Sequence, residues 1–387
     1  MNAPLSNSRP RSVTIYDVAD FAGVSHQTVS RVVNKAAHVA ASTRARVLQA
    51  VSQLGYRPNN AARNLVSQRS NLIGVITFCQ DSFGPSHLLI SVDTAAMKCG
   101  YNTLLASVSE PTVKAIKRAA DDLGTHGVEG IILNVPTAVD LTSLQAAFGR
   151  TPYVVTDAGA GNELTMVTTD HEYGACIGTE HLIALGHRRI ACISGPLDWR
   201  CGLLRRDGWF RTLQKYGIPE GPSNVGQWSA RGGFIAAEEL IKRYSRGFSA
   251  LVAGNDQMAL GAMRALELNG LSVPADVSVV GYDDMPEAAF FSPALTTVTH
   301  DFESAGRACL EFLLRRIRNP QAPAERLVIK PELVCRESTA PLSVKDARVG
   351  RGSARAVARD DAKAKTVPSS RGSDGASPYR PERAPTV

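Results

Sequence analysis

Several classes of protein are excluded by what this 387-residue chain lacks. Its seven cysteines are scattered and include no CxxC pair, which argues against a disulfide framework or a zinc site and predicts reduced thiols. No apolar run approaches the roughly 18 residues of a membrane span. The first residues do not have the charged-then-apolar pattern of a signal peptide. We therefore expect a cytoplasmic protein with no membrane partner.

Sequence motifs of catalysis are also missing. There is no GxSxG, no P-loop and no HExxH. The Gly-Ala-Gly at 159–161 is no dinucleotide fingerprint, because Leu164 stands where its third glycine would fall. His181 and His187 are six residues apart, a poor spacing for two metal ligands on one helix, and we interpret them as surface or capping residues. The sequence thus predicts a protein that is not an enzyme and has no metal site and no cofactor.

Charge is distributed unevenly along the chain. Residues 1–70 carry nine Lys/Arg against two acids, whereas residues 71–342 carry 24 against 29. A basic head on a mildly acidic body is typical of a nucleic-acid-binding module joined to a different domain. Residues 343–387 are basic as well, but they lack periodicity, and we predict a disordered tail whose charge serves solubility. Residues 1–12 are predicted to be disordered too.

The segment 14–34 (TIYDVADFAGVSHQTVSRVVN) has the pattern of a helix-turn-helix. Thr14 and Asp17 form a helix-start signature, Gly23 suits a tight turn, and Ser25 is placed to cap a second helix. Short, hydrogen-bonding side chains are left on the outer face of that helix, as base recognition in the major groove requires: His26, Gln27, Thr28, Ser30 and Arg31. An ordinary helical hairpin with a solvated polar face is the alternative.

A third helix over 42–54 should complete a headpiece that spans 13–57, with Val47, Leu48, Val51 and Leu54 facing inward. A short helix over about 59–66 then lies in a linker, 58–70. It is too short to be stable alone, so either it packs on a partner or it is only a linker.

From residue 71 the pattern changes to short apolar strands that alternate with helices. Such strands are predicted at 72–77, 102–107, 130–134, 152–156, 189–194, 250–254 and 277–284. This alternation indicates parallel sheets that are covered on both faces. Since one sheet seldom carries some 270 residues, we predict an α/β core of two doubly wound lobes over 71–342.

Polar side chains follow several of these strands, where open α/β sheets bind ligands. Asp157 and Asn255 each come directly after a strand, Asp283 follows the apolar run VSVVGY (277–282), and Arg205 and Trp228 lie in connecting segments. Carboxylates, an amide and a guanidinium can hold vicinal hydroxyls, while an indole stacks on the apolar face of a sugar. The alternative is that each residue caps a helix or satisfies a loop.

The helix-turn-helix, together with NDQMALGAMRA (255–265), VSVVGYDD (277–284) and EHLIALGH (180–187), resembles the lactose-repressor family over about 13–340. The resemblance implies a two-lobed core of periplasmic-binding-protein type that clamps a small effector. It places these residues in the effector pocket: Pro85, Asp157, Arg205, Trp228, Asn255, Asp283, His300 and Phe302. It implies base contacts by His26, Gln27 and Arg31, and phosphate contacts by Tyr16, Ser25, Thr28 and Asn34. In the linker it adds Asn59, Ala62 and a minor-groove wedge, Leu65.

Five positions depart from that family pattern. His26 replaces a tyrosine in the headpiece; in the pocket Glu110 replaces an arginine, Cys201 a serine, Thr169 a phenylalanine and His300 a glutamine. Leucine heptads of a tetramer are absent from 343–387, so we predict a homodimer. The resemblance implies a sugar-responsive transcriptional repressor that binds a pseudo-palindromic operator in double-stranded DNA and is released by a galactoside or related sugar.

Alternatives to that function remain open. A family member with a non-sugar effector or an activator role, a sugar-binding transport or sensor protein, and a doubly wound enzyme are the three that we weigh.

Overall fold

The structure is a computed structural model, and it describes residues 13–34, 36, 38–57, 69–78, 82–134, 141–157, 164–244 and 247–342. The predicted terminal segments 1–12 and 343–387 and the short helix at 59–66 lie outside the described residues. So do Asn59, Ala62, Leu65 and the glycines at 159–161.

Three helices form the headpiece: α1 (Ile15–Ala22), α2 (His26–Val33) and α3 (Ala41–Leu54). Thr14 and Asp17 form a capping box at the start of α1, and Gly23 has the left-handed φ of 61° that the turn requires. The three helices pack around a small buried core, as the apolar spacing predicts. One expectation is wrong: Leu48 is 51% exposed, and the small Ala50 is buried in α3 instead.

The first lobe is a doubly wound sheet with strand order β2-β1-β3-β4-β5-β11, parallel throughout. Its elements are β1 (Leu72–Phe78), α4 (Phe83–Lys98), β2 (Asn102–Val108), α5 (Val113–Thr125), β3 (Gly130–Asn134), α6 (Leu141–Phe148), β4 (Tyr153–Thr156), β5 (Met166–Thr169), α11 (Phe302–Arg318) and β11 (Arg326–Ile329). Two apolar clusters pack against this lobe's strands, as expected of a sheet covered on both faces.

The second lobe repeats this architecture with the order β12-β10-β9-β8-β6-β7. Its elements are α7 (His171–Ala184), β6 (Ile190–Ser194), α8 (Arg200–Lys215), β7 (Ser223–Val225), α9 (Ala230–Tyr244), β8 (Ala250–Ala253), α10 (Asp256–Leu268), β9 (Ser278–Asp283), a 3₁₀ helix (Pro286–Phe290), β10 (Thr296–Thr299) and β12 (Leu333–Val334). The sheet is parallel except at its edge, where β12 runs antiparallel to β10. The prediction of two doubly wound sheets is therefore confirmed, with one antiparallel edge added.

Within the described residues the chain passes between the lobes at Asp170, at 300–301 and at 330–332. No helix of this part of the chain is long and apolar enough to cross a membrane. The interpretation of His187 as a surface residue is wrong. This imidazole is buried, with Nδ1 2.9 Å from the Ser249 hydroxyl and Nε2 3.0 Å from the carbonyl oxygen of Ala340.

Candidate functional site

The polar face of α2 is exposed, as recognition of DNA would require. Ser25 accepts a hydrogen bond from the Thr28 amide at 3.2 Å and so caps α2 with the side chain predicted to lie near a phosphate. Arg31 is exposed and has no ion-pair partner in the described part of the chain. Each predicted DNA contact of the described headpiece is exposed or half-buried: Tyr16, Ser25, His26, Gln27, Thr28, Arg31 and Asn34.

The rings of Tyr16 and His26 lie next to each other, with centroids 5.1 Å apart. His26 is therefore held beside the start of α1 at the exposed end of α2.

Between the two lobes lies a cavity whose empty space, open solvent at its mouth included, is about 710 Å³. It opens at the carboxyl ends of both sheets, the place where open α/β sheets bind ligands. All eight residues predicted for the effector pocket line it: Pro85, Asp157, Arg205, Trp228, Asn255, Asp283, His300 and Phe302.

Three of these residues have an unusual backbone. Asp157, Trp228 and Asp283 have φ values of 47°, 56° and 103°, in the region that side-chain-bearing residues seldom adopt. Such strain is maintained only where the surrounding structure fixes it, and it is concentrated at functional sites. At Asp157 and Asp283 it occurs where strands β4 and β9 end, so it sets the direction in which both carboxylates leave the sheets.

Arg205 is buried at the centre of the cavity wall and is held by several partners. Its guanidinium donates to Asp283 Oδ1 at 3.0 Å and to the Gly254 carbonyl at 2.5 Å, and it lies 3.6 Å from the centroid of the Tyr282 ring. Burial by itself raises the pKa of Asp283, but Arg205 and His300 together outweigh it and hold that pKa below its usual value. The pair is therefore ionised, and most of the hydrogen-bonding capacity of the guanidinium is satisfied by the protein itself.

His171 connects this ion pair to the other carboxylate. Its Nδ1 faces the guanidinium of Arg205 at 3.4 Å, and its Nε2 lies 3.3 Å from Asp157 Oδ1. Burial lowers the pKa of His171, so the imidazole is neutral at pH 7. A guanidinium can only donate, which assigns the proton to Nε2, on the side of Asp157.

Each carboxylate of the site is anchored through one oxygen. Asp157 Oδ1 accepts from the Thr168 hydroxyl at 2.9 Å and from the Thr169 amide at 3.2 Å, while Asp283 Oδ1 is held by Arg205. Burial raises the pKa of Asp157, but His171 and Thr168 outweigh it and keep that pKa well below its usual value. Within the described residues no hydrogen bond reaches Oδ2 of either aspartate. The cavity thus presents two ionised acceptors to a ligand.

Asn255 lines the cavity and also stabilises the local structure. Its side-chain oxygen accepts from the Met258 amide at 2.8 Å and so caps α10, and its amide donates to the Trp228 carbonyl at 3.2 Å. Asn255 therefore caps a helix, the alternative considered from the sequence, and also lines the cavity. Its hydrogen bond to the Trp228 carbonyl fixes the backbone that carries this indole.

Comparisons with known proteins agree with this arrangement. The family model for "Bacterial regulatory proteins, lacI family" matches residues 14–59, and the model for "Periplasmic binding protein-like domain" matches residues 179–339. The lactose operon repressor of Escherichia coli (strain K12) is 38% identical over 332 residues, which are 85% of this chain and 91% of that one. The chain belongs to the lactose-repressor family.

Solved structures show the same family fold over most of the chain. The lac repressor dimer bound to operator and the anti-inducer ONPF has a TM-score of 0.78 at 37% identity, covering 85% of this chain and all of that one. The transcriptional regulator CelR in complex with cellobiose has a TM-score of 0.64 at 31% identity, with the same coverage.

Besides His26 and His300, three residues depart from the lactose-repressor family pattern, namely Thr169, Cys201 and Glu110. The first two lie in the cavity. Thr169 and Cys201 line it, and burial raises the pKa of the Cys201 thiol to about 12, so this thiol stays protonated. Glu110, expected in the pocket as well, is exposed in the turn that follows β2 and does not line the cavity, so that expectation is wrong.

Sequence reasoning missed other residues that line the cavity, among them Phe83, Asn134, His171 and Trp199. Asn134 was open to the same argument as Asp157, because it ends the predicted strand β3. His171 was not, because the strand before it, β5, was not predicted. Phe83 and Trp199 lie at helix starts, where no periodic pattern distinguishes them.

Proposed function

We propose that this chain is a sugar-responsive, DNA-binding transcriptional repressor, which binds a pseudo-palindromic operator as a homodimer and is released by a small effector. The observation that carries the proposal is the convergence of all eight predicted pocket residues on one cavity, in a chain that also carries an exposed recognition helix. Of the relatives named above, the lactose operon repressor was solved as a dimer on its operator, and CelR is a transcriptional regulator in complex with cellobiose, which supports both parts.

We further propose a division of labour along the chain. Residues 13–57 bind DNA, residues 58–70 link this headpiece to the core, and residues 71–342 bind the effector and the second copy. In that scheme the short helix predicted at 59–66 would acquire its partner only in the dimer on the operator, and Leu65 would reach the minor groove. The repressor acts in the cytoplasm, where its operator is.

The charges of the cavity favour a neutral, hydroxyl-rich effector. Among the described residues of its wall Arg205 is the one with a fixed positive charge, and that charge is already paired with Asp283. An anionic ligand would meet two ionised carboxylates and no available cation. Hydroxyl groups can instead donate to the free Oδ2 atoms of Asp157 and Asp283. A galactoside or a related sugar is the first candidate, since the lactose operon repressor is 38% identical.

The position of the cavity explains how an effector can be coupled to DNA binding. Asp157 belongs to the first lobe and Arg205 to the second, while His171 and His300 lie next to the segments that join the lobes. A ligand that contacts all four stabilises one relative arrangement of the lobes. It shifts the equilibrium by no more than its difference in affinity for the two arrangements.

The test is operator binding by fluorescence anisotropy, with fragments from upstream of the neighbouring genes and with lactose or o-nitrophenyl galactoside as effector. We expect a fragment to be retained with strong salt dependence and released by sugar. Asp157→Asn, which keeps the shape of the side chain, should bind the operator like the wild type and lose the response to sugar. An Asp157→Asn protein that is still released from DNA at the same sugar concentration would contradict the assignment of the effector pocket. Failure of the wild-type protein to retain any fragment would contradict the proposal that it is a DNA-binding repressor.

A further inference from the structure

Trp199 is a cavity residue that the proposed function does not use. It lies just before α8, is 8% exposed, and is part of the wall together with Arg205 on the same helix. Its own backbone is ordinary, with φ −86°, so nothing in the chain's conformation demands a tryptophan there.

The indole of Trp199 belongs to an aromatic cluster that spans the lobes, which we call the tryptophan cluster. Its centroid lies 5.7 Å from that of Trp228 at an interplanar angle of 56°, and 5.9 Å from that of Phe78 at 47°. Phe78 ends β1 of the first lobe and does not line the cavity. Trp228 is backed by Gly195, which has no room for a side chain beside the indole.

A second aromatic cluster lies in another part of the same wall. His300 stacks on Phe302 with centroids 3.9 Å apart and an interplanar angle of 24°, and Phe83 meets Phe302 edge-on at 5.8 Å. In the described part of the chain no ring contact joins this cluster to the tryptophan cluster. Asp283 and Arg205 lie between them: Asp283 Oδ1 is 3.6 Å from His300, and the guanidinium is 5.6 Å from the Trp228 ring.

Two separate aromatic clusters exceed what one sugar ring needs. A pyranose offers one markedly apolar face, which a single aromatic ring can cover. Asp283 lies next to His300 and Arg205, whereas Trp199 adds apolar surface beside Trp228. The extra surface is therefore suited to a second six-membered ring.

We propose that Trp199, with Trp228, forms a second ring-binding subsite, and that the effector is a two-ring glycoside. This inference rests on the proposed function. One ring is held by the carboxylates, and the other lies against the indoles of Trp199 and Trp228. The second ring is either another sugar or an aryl group, since both present an apolar face to an indole.

Calorimetric titration of the full-length protein distinguishes these ligands. The probes are galactose (one ring), lactose (two sugar rings) and o-nitrophenyl galactoside (a sugar and an aryl ring). We expect at least one two-ring ligand to bind about tenfold or more tightly than galactose. Trp199→Ala should reduce that affinity about tenfold or more and change galactose binding less than twofold, whereas Trp199→Phe should keep most of it.

Phe78→Leu is the matched control. It removes the ring that packs on Trp199 from outside the cavity, so it separates a binding role from a packing role. The proposal expects it to leave the preference for two rings within about twofold.

Three results would overturn the proposal: galactose binding as tightly as both two-ring ligands, equal losses for one-ring and two-ring ligands in Trp199→Ala, or the same loss in Phe78→Leu. Binding of none of the three probes would contradict the galactoside function itself and this inference with it.

Discussion

Replacing Arg205 with alanine should cost the second lobe far more stability than replacing its neighbour Arg206. Arg205 and Asp283 are 6% and 8% exposed and form an ion pair of 3.0 Å, so truncation strands a buried carboxylate. Removing one partner of a buried pair costs about 3–5 kcal/mol. For a unit of this size each kcal/mol lowers the melting temperature by about 2–4 °C. We therefore expect a decrease of about 6–20 °C, measured by scanning calorimetry.

Arg206→Ala is the control for this prediction. Arg206 forms an ion pair with Asp207 at 2.9 Å, but the two side chains are 36% and 31% exposed. Pairs of this kind contribute about 0–1 kcal/mol, so the melting temperature should change by less than about 4 °C.

Two further measurements isolate the stranded charge as the cause. The double variant Arg205→Ala/Asp283→Asn should be more stable than Arg205→Ala, because no charge is left unpaired. The penalty of Arg205→Ala should also be smaller at pH 5 than at pH 7. Without the guanidinium, burial raises the pKa of Asp283, and the carboxyl takes up a proton as the pH falls. Equal melting temperatures for Arg205→Ala and Arg206→Ala would refute the reasoning.

Three other predictions concern the headpiece and a buried acid. Arg31→Ala should weaken specific operator binding by about 5- to 150-fold in an anisotropy titration, the equivalent of about 1–3 kcal/mol, whereas Lys117→Ala on the exposed face of α5 should not. Ser25→Ala should destabilise α2 by about 1 kcal/mol through loss of its cap, seen as faster hydrogen exchange of the α2 amides; unchanged exchange would contradict this. Burial raises the pKa of Asp256 to about 8, so stability should fall by up to about 1.4 kcal/mol per pH unit between about pH 4 and pH 8, as the unfolded chain loses a proton that the folded protein retains. In Asp256→Asn that slope should flatten, and an unchanged dependence of the melting temperature on pH would count against a protonated Asp256.

Strands made of consecutive apolar residues were predictable from the sequence, and threonine-rich strands were not. All seven predicted strand segments correspond to strands of the two sheets. The strands at Met166–Thr169 and Thr296–Thr299 were missed, because four residues rich in threonine give no clear pattern. The strand at 326–329 pairs with the one at 166–169, some 160 residues earlier, so that it exists only in the tertiary context.

For the site, the residue types and strand ends pointed to Asp157 and Asp283, but they did not show that the two carboxylates share one cavity. The family resemblance supplied that convergence. It failed at Glu110, where the family pattern predicted a pocket residue and the chain has an exposed turn. Trp199 was not predicted, because it neither follows a predicted strand nor stands at one of the pocket positions that the family resemblance implied.

The left-handed backbone at Asp157, Trp228 and Asp283 has a consequence for how this regulator can change its effector in evolution. At Asp157 and Asp283 substitutions are restricted to residues that tolerate such a backbone, chiefly asparagine, aspartate and glycine, so the pair proposed to bind hydroxyls is conformationally locked. Trp199 and Cys201 line the same cavity on ordinary backbone and are open to any side chain that fits. New effector preferences should therefore arise at the start of α8 first, while the centre of the pocket is inherited unchanged.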